Sequence, residues 1–183
     1  MRAVPTNRYV VFLLIGGLGC LADLATKNWV FSALGEPGGK TWWLCEGFCG
    51  FQTSLNEGAL FGMGQGKVWL FAALSICAAV FIVYWLFIAG AARDRLLTVA
   101  LGCVMAGILG NLYDRLGLWS LPGRPELRIH AVRDWILFQY ENWVWPNFNL
   151  ADSLLVCGAA LLIWQASRGE ARRAAPDTQP VSG

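Results

Sequence analysis

The stretch "FNLADSLLVCGAALLIWQAS", residues 148–167, decides the fold class of this chain. It is almost wholly apolar, and a helix of this length, rising ~1.5 Å per residue, can cross a hydrocarbon layer about 30 Å thick. Near its start, however, the stretch carries a carboxylate, Asp152. An interpretation of this sequence therefore has to explain two features, a membrane span and a charged side chain at its edge.

Three further apolar runs share this character, at about residues 9–31, 68–92 and 96–112. The chain of 183 residues is 56% hydrophobic and only 14% charged, whereas soluble domains carry about 25% charged residues. We therefore expect an all-α integral membrane protein with four transmembrane helices. The first run continues past Cys20 to Phe31, beyond the core of a cleaved signal peptide, so we interpret it as a retained helix.

The connections between the runs indicate how the chain is oriented. Four spans place both termini and the short turn 93–95 on one side of the membrane and two long connections on the other. Arginines are dense in that turn and just after the fourth run, and positive charge marks the cytoplasmic side. We therefore expect cytoplasmic termini and a single domain, 1–167, followed by a disordered cytoplasmic tail, 168–183. Alternation in the first long connection, about 34–67, predicts a small β-strand cradle on the extracytoplasmic side.

The six cysteines divide into two groups. Four lie within the apolar runs, where we interpret them as small apolar side chains that fill space. Cys45 and Cys49 lie in the first long connection, and on an oxidising side of the membrane they can form a disulfide. Two thiols alone make no metal site. The sequence leaves open whether this pair is bridged.

Polar side chains in or beside the four runs gather at one membrane face. The ends of spans one and three and the starts of spans two and four face the same side, whichever way the protein points. The polar residues at or near those ends are Asp23, Lys27, Asn56, Asn111, Asp114, Arg115, Asp134, Asn149 and Asp152. Ionisable groups at such depth are costly and mark functional sites. We therefore expect a site on the face that carries the long connections.

Several of these groups also have a purely structural interpretation. Asn149 can cap the fourth helix. Asp23 and Lys27 are four residues apart, so they can form an ion pair on one helical face. Asp114 and Arg115 are interpreted as an ion pair at a helix end. These interpretations do not explain why four aspartates lie at one membrane face.

The residue types favour carboxylate chemistry. The one histidine, His130, lacks an HExxH context, and Ser153 has no evident His or Lys partner, so we expect neither a metal nor a cofactor. Two aspartates held close share one proton, so one can take a proton from water while the other hydrogen-bonds the carbonyl under attack. A proton-coupled transporter and a structural assembly factor stay open as alternatives. The net charge of +2, without a basic run among aromatic residues, excludes nucleic acid as an expected partner.

Five motifs in order resemble those of the bacterial lipoprotein signal peptidases, also called signal peptidase II: "ADLATK" (22–27), "NEGALFG" (56–62), "GNLYDRL" (110–116), "VRDW" (132–135) and "FNLADS" (148–153). The resemblance covers about residues 9–167. It implies an aspartic endopeptidase of the inner membrane that acts on diacylglyceryl-modified prolipoproteins and cuts just before the lipidated cysteine. We expect such a protein to contact membrane lipid and to act as a monomer.

The resemblance also implies a role for each polar residue. Asp134 and Asp152 would be the catalytic pair. Asn111 and Arg115 would support and bind substrate, with Asp114 as structural support. The remaining positions implied as functional or supporting are Asp23, Lys27, Asn56 and Asn149.

Two departures from the family's pattern concern the segment before Asp134. The connection that follows Asp114, "RLGLWSLPGRPELRIHAVR", is longer than is typical, and we expect its extra residues, with Arg124 and Arg128, to loop out near the site. Arg133 stands where Val or another apolar residue is common. Neither departure removes a proposed catalytic group.

Overall fold

The computed structural model describes residues 3–58 and 64–174 and contains, within them, four helices long and apolar enough to cross a membrane. They are α1 (Thr6–Leu34), α2 (Val68–Val83, continued by a π-helical turn over Tyr84–Ile88), α3 (Arg95–Arg115) and α4 (Leu150–Ala174). The four predicted spans are confirmed. The fourth helix continues beyond residue 167, through the first part of the tail predicted to be disordered, whereas residues 175–183 lie outside the described residues.

The third helix is the centre of the helical bundle. It is mostly buried and packs against α1 and α4, while the other three helices direct most of their surface outward. Two glycines permit this close packing, because a Cβ on Gly107 would lie 2.4 Å from the carbonyl oxygen of Ala151 and one on Gly110 would lie 2.4 Å from a carboxylate oxygen of Asp23. Outward-facing apolar side chains such as Leu13, Val80 and Ile163 fit a protein whose solvent is lipid.

Six strands accompany the helices within the described residues. They are β1 (Trp42–Cys45), β2 (Cys49–Asn56), β3 (Ser120–Leu121), β4 (Arg124–Arg128), β5 (Val132–Tyr140) and β6 (Trp143–Phe148). Four of them form an antiparallel sheet in the order β1-β2-β5-β6, and β3 pairs with β4 in a separate hairpin. In the central pairing of the sheet, Ser54 lies opposite Asp134.

The prediction of an all-α protein with strands only in 34–67 is therefore wrong in part. Half of the four-stranded sheet comes from the second long connection, whose strands the sequence did not indicate. The physical reason is burial on both faces at the start of β5, where residues 132–135 are all buried, so no alternation of apolar and polar residues marks the strand. The predicted 34–67 strands are present as β1 and β2.

The two remaining expectations about the connections have clear outcomes. The longer segment before Asp134 does loop out, as the β3–β4 hairpin, whose second strand is exposed throughout. Cys45 and Cys49 face each other across the β1–β2 hairpin as free thiols. The disulfide that the sequence left open is therefore not present in this structure.

Candidate active site

Asp134 and Asp152 come from different elements, and both accept hydrogen bonds from the same asparagine, Asn149. Asp134 lies near the start of β5, and Asp152 lies in the first turn of α4. The Asn149 side chain donates to Oδ1 of Asp134 (2.6 Å), and the Asn149 backbone N–H donates to Oδ2 of Asp152 (3.3 Å). Oδ1 of Asn149 accepts the backbone N–H of Asp152 (2.9 Å), which is a helix cap. The residue that caps α4 therefore also connects the two carboxylates.

A second asparagine, Asn111 near the end of α3, connects this pair to a buried cation. Its side-chain amide donates to Oδ1 of Asp152 (2.8 Å). Its oxygen accepts hydrogen bonds from Asn149 (3.1 Å) and from Nζ of Lys27 (3.0 Å). Asn111 thus fixes the orientation of one carboxylate and of the asparagine that contacts the other.

Lys27 is fully buried, and two carboxylates balance its charge. Its Nζ lies 2.7 Å from Oδ2 of Asp23 and 3.1 Å from Oδ2 of Asp114. Asp23 also accepts the backbone N–H of Ala151 (2.9 Å) at the start of α4. A buried ion without such partners would cost several kcal/mol, so these contacts hold α1, α3 and α4 together directly behind Asp152.

Arg115 contacts the segment after β2 instead of its neighbour in sequence. Within the described residues, Asp114 pairs with Arg133 (2.8 Å) rather than with Arg115, so the predicted pair at the end of α3 is wrong. The reason is that consecutive residues of a helix point about 100° apart. Arg115 donates to the carbonyl oxygen of Gly58 (3.0 Å), and its guanidinium lies 5.7 Å from the ring centroid of Phe71.

Asn56 joins the site from the end of β2. Its side-chain amide donates to Oδ2 of Asp134 (3.2 Å), and its oxygen accepts the backbone N–H of Gly58 (2.9 Å) and the side chain of Gln65 (3.4 Å). The polar residues singled out from the sequence therefore lie in one connected cluster.

The environment of Asp134 changes its acidity. Its pKa is raised from the ordinary 3.8 to about 7. The largest cause is burial, which disfavours the charged form, and the second is the negative charge of Asp152. Hydrogen bonds from Asn149 and Asn56 act in the opposite direction because they stabilise the ionised carboxylate. Near neutral pH both the neutral and the ionised form of this carboxyl group are therefore populated.

Two cavities lie on either side of Asp152. The larger, about 650 Å³, lies between the β5–β6 hairpin and α4 and has mainly aromatic and aliphatic walls. The smaller, about 360 Å³, lies between α2, α3 and α4 and is lined by Asn111, Arg115 and Leu155 among others. Asp152 and Val156 line both cavities. An extended apolar ligand in either cavity would therefore reach Asp152.

Sequence reasoning missed several contributors to this site. Arg133, recorded only as a departure from a pattern, is buried and bound to Asp114, and its Nη1 donates to Asn28 on α1. Gln65 lies in the connection before α2 and donates a hydrogen bond to the side-chain oxygen of Asn56. A polar residue in a polar loop carries no signal in a single sequence, whereas an arginine beside a suspected catalytic aspartate is a signal that could have been followed.

Comparisons with known proteins agree with one another. The family model described as Signal peptidase (SPase) II matches residues 15–168. The chain is similar to the Lipoprotein signal peptidase of Rhodopirellula baltica, with 49% identity over 166 residues that make up 90% of this chain and 74% of that protein. It is also similar to the Lipoprotein signal peptidase of Cellvibrio japonicus, with 31% identity over 85% of this chain and 80% of that protein.

Two solved structures have the same fold. One is a bacterial membrane enzyme determined by the in meso method at 2.3 Å resolution, with a TM-score of 0.75 and 25% identity, covering 92% of this chain and 94% of that one. The other is a bacterial membrane enzyme determined by the same method at 1.9 Å, with a TM-score of 0.68 and 28% identity, covering 85% and 91%.

Proposed function

The chain belongs to the signal peptidase II family, and we propose that Asp134 and Asp152 are the catalytic pair with which it hydrolyses a peptide bond. The observation that carries this proposal is the double contact of Asn149, whose side chain and backbone hold one oxygen of each aspartate. A pair held in this way can share a single proton, as water-activating carboxylates require.

The chemistry follows from a pair that holds one proton. The ionised carboxylate takes a proton from a water molecule as the water oxygen bonds to the carbonyl carbon. The neutral carboxyl group gives its proton to the carbonyl oxygen, which forms a tetrahedral diol. When the diol collapses, one of its hydroxyl groups gives its proton to the ionised carboxylate as the C=O bond re-forms, the C–N bond breaks, and the departing nitrogen receives the other proton of the pair, which restores the original state. We assign Arg115 and Asn111 to orientation of the peptide, because both line the smaller cavity beside Asp152.

The substrate class follows from the relatives and from the cavities. The curated relatives are named lipoprotein signal peptidases, and we propose that this chain likewise cuts diacylglyceryl-modified prolipoproteins just before the lipidated cysteine. The apolar walls of the larger cavity suit acyl chains that stay in the bilayer. Because all the proposed site residues belong to one chain, a monomer is sufficient for this activity.

The placement in the cell is part of the same proposal. The chain is a multi-pass membrane protein. We place it in the inner membrane, with residues 1–167 as its catalytic domain and both termini in the cytoplasm. The sheet and the two aspartates then lie near the extracytoplasmic face, where a translocated lipoprotein precursor arrives.

Replacement of each aspartate by asparagine tests the catalytic assignment. We expect Asp134→Asn and Asp152→Asn each to abolish cleavage of a diacylglyceryl-modified precursor by the purified protein, because neither variant can hold one proton between two carboxylates. Asp94→Asn is the matched control, since Asp94 caps α3 at the opposite end of the bundle and asparagine caps helices equally well.

The outcomes distinguish the proposed function from the two alternatives. Substantial cleavage by either variant would contradict the catalytic pair. Normal cleavage per folded molecule, with less protein recovered, would indicate that the aspartates support the fold only, whereas a structural assembly factor would cleave no precursor even as the unaltered protein. A proton-coupled transporter would likewise cleave no precursor.

A further inference from the structure

Arg133 directly precedes Asp134 in β5, and its side chain is almost completely buried at 2% exposure. Successive side chains of a strand point to opposite faces. Asp134 therefore points toward Asn149 and Asn56, while Arg133 points toward the helices on the other face. Whatever holds Arg133 in place also fixes the backbone from which Asp134 projects.

The contacts of Arg133 connect β5 to two helices. Its Nε and Nη2 donate to Oδ1 of Asp114 on α3 (3.1 and 2.8 Å), and its backbone N–H donates to Oδ2 of the same carboxylate (3.0 Å). Its Nη1 donates to the side-chain oxygen of Asn28 on α1. Charge-assisted bonds of a guanidinium to a carboxylate are among the strongest and most directional in proteins. Main chain and side chain of one residue are thus fixed to the ends of α3 and α1.

The cover over this arginine comes from the connection between α3 and β5. The Arg133 guanidinium carbon lies 4.7 Å from the ring centroid of Trp119, which is an attractive cation–π geometry. Trp119 is itself held by a bond from its Nε1 to the carbonyl oxygen of Ala131 (3.2 Å) and by an edge contact with Phe31 (5.7 Å between centroids). An arginine and a longer connection, two separate departures at the level of sequence, meet here in one unit.

The charges behind the site are balanced with Arg133 included. Two buried cations, Lys27 and Arg133, face two buried carboxylates, Asp23 and Asp114. If Arg133 were apolar, Lys27 would face both carboxylates alone. Arg133 therefore has two effects: it attaches β5 to the helices, and it supplies the second positive charge beside the two buried carboxylates.

We propose that Arg133, bound to Asp114 beneath Trp119, is a positioning residue that directs Asp134 toward Asn149, and that Trp119, from the connection before β5, serves the reaction by covering this arginine. The proposal rests on the proposed function, because it takes Asp134 as one of the catalytic pair. Arg133 touches neither carboxylate of that pair in this role and acts through the backbone of β5.

Kinetics of purified variants with a diacylglyceryl-modified precursor test this role. A misplacement of a reacting group by about 1 Å can cost ~100-fold in rate. We therefore expect Arg133→Met to lower kcat by about 100-fold, while KM stays within about twofold because the cavities are untouched. Arg133→Lys keeps the charge without the planar set of donors, and Trp119→Leu removes only the cover, so each should lower kcat by ~10-fold. Arg124→Met is the matched control, since Arg124 is exposed on the same connection and pairs with the equally exposed Glu36; its kcat should not change.

The fall in kcat at constant KM is the decisive readout. It is measured per folded molecule, on monodisperse protein with a recorded unfolding temperature, because a merely structural role would reduce the amount of folded protein and leave kcat unchanged. If Arg133→Met does not fold, Arg133→Lys and Trp119→Leu decide the matter. Full kcat in those two variants, or a raised KM at full kcat, would overturn the inference. Activity in Asp134→Asn would instead overturn the proposed function, so the two failures are distinguishable.

Discussion

Asp134 has a carboxyl group whose surroundings bring its pKa close to neutral pH. Burial and the charge of Asp152 raise its pKa to about 7, against the opposing effect of two hydrogen bonds from asparagines. A raised pKa means that the folded protein binds this proton more tightly than the unfolded chain does. The contribution of Asp134 to stability is therefore greatest at low pH and decreases as the pH rises from about 4 to about 7.

Activity should follow the same titration. If the aspartate pair must hold one proton, kcat/KM, which reports the free enzyme, should fall above pH 7, by ~10-fold per pH unit, as that proton is lost. Measurement of kcat/KM from pH 5 to pH 9 at precursor concentrations well below KM checks this. A rate that stays constant through pH 9 would contradict a shared proton in the mechanism.

Replacement of Asn56 tests whether the pH dependence of activity comes from Asp134. The hydrogen bond that its side-chain amide donates stabilises the ionised form of Asp134, so Asn56→Ala should raise the pKa of Asp134 and move the fall in kcat/KM to higher pH. Asn7→Ala, in the first turn of α1 at the other end of the helix from Asp23 and Lys27, is the matched control and should leave the profile in place. A shift to lower pH in Asn56→Ala would show that this hydrogen bond does not favour the ionised carboxylate.

The residues of the site could be found from the sequence, but several of their partners could not. Chain direction alone places Asp23, Asp114 and Asp152 at one membrane face, because alternate spans run in opposite directions. Pairing depends on where side chains point, and adjacency in sequence was misleading for Asp114, which binds Arg133 from a strand rather than its neighbour Arg115.

At the scale of elements, the approach of α3 to α1 and α4 depends on glycine. A Cβ at position 110 would meet Oδ2 of Asp23 at 2.4 Å and the Cβ of Ala151 at 3.2 Å. We expect Gly110→Ala to destabilise the protein by ~1–3 kcal/mol through overpacking, and to reduce activity because Asp23 also binds the start of α4. Thermal unfolding in detergent and cleavage assays measure the two effects.

A matched control for this prediction exists on α1. A Cβ added at Gly17 would have no atom within 4 Å, so Gly17→Ala should leave activity unchanged and, since alanine favours helices by about 0.5–1 kcal/mol over glycine, should not lower the unfolding temperature. Equal behaviour of the two variants would mean that the contact at Gly110 relaxes without cost.

Helices and strands differed in how well the sequence indicated them. Membrane helices follow from length and apolar content, because lipid requires every backbone polar group to be satisfied within the helix. Strand β5 forms by pairing with β2, which is a long-range contact, and β6 forms by pairing with β5. Their aromatic content suits a segment at the headgroup level as well as it suits a strand, and Pro146 within β6 further weakens the strand pattern.

At the scale of the whole molecule, the β3–β4 turn and the carboxyl terminus should lie on opposite sides of the membrane, because the α4 span separates them. Gly123 in that turn has no atom within 4 Å of an added Cβ and takes a positive φ of 83°, so a short insertion is tolerated there. A protease site inserted after Pro122 should be cut from outside intact spheroplasts, whereas the same site appended after Gly183 should be cut only after lysis. The reverse pattern would invert the proposed orientation.

The two cavities beside Asp152 predict how the whole protein holds a lipidated substrate. Val156 lines both of them, one turn along α4 from the proposed catalytic aspartate. A tryptophan at this position would fill the space that acyl chains are proposed to occupy, and since one methylene group in an apolar pocket changes discrimination by ~10-fold or more, Val156→Trp should raise KM at least about tenfold. Val80→Trp is the matched control, because Val80 on α2 is 65% exposed and lines neither cavity. Steady-state cleavage of a diacylglyceryl-modified precursor in mixed micelles measures both variants. An unchanged KM in Val156→Trp would place the lipid elsewhere on the protein, while leaving the assignment of the aspartates intact.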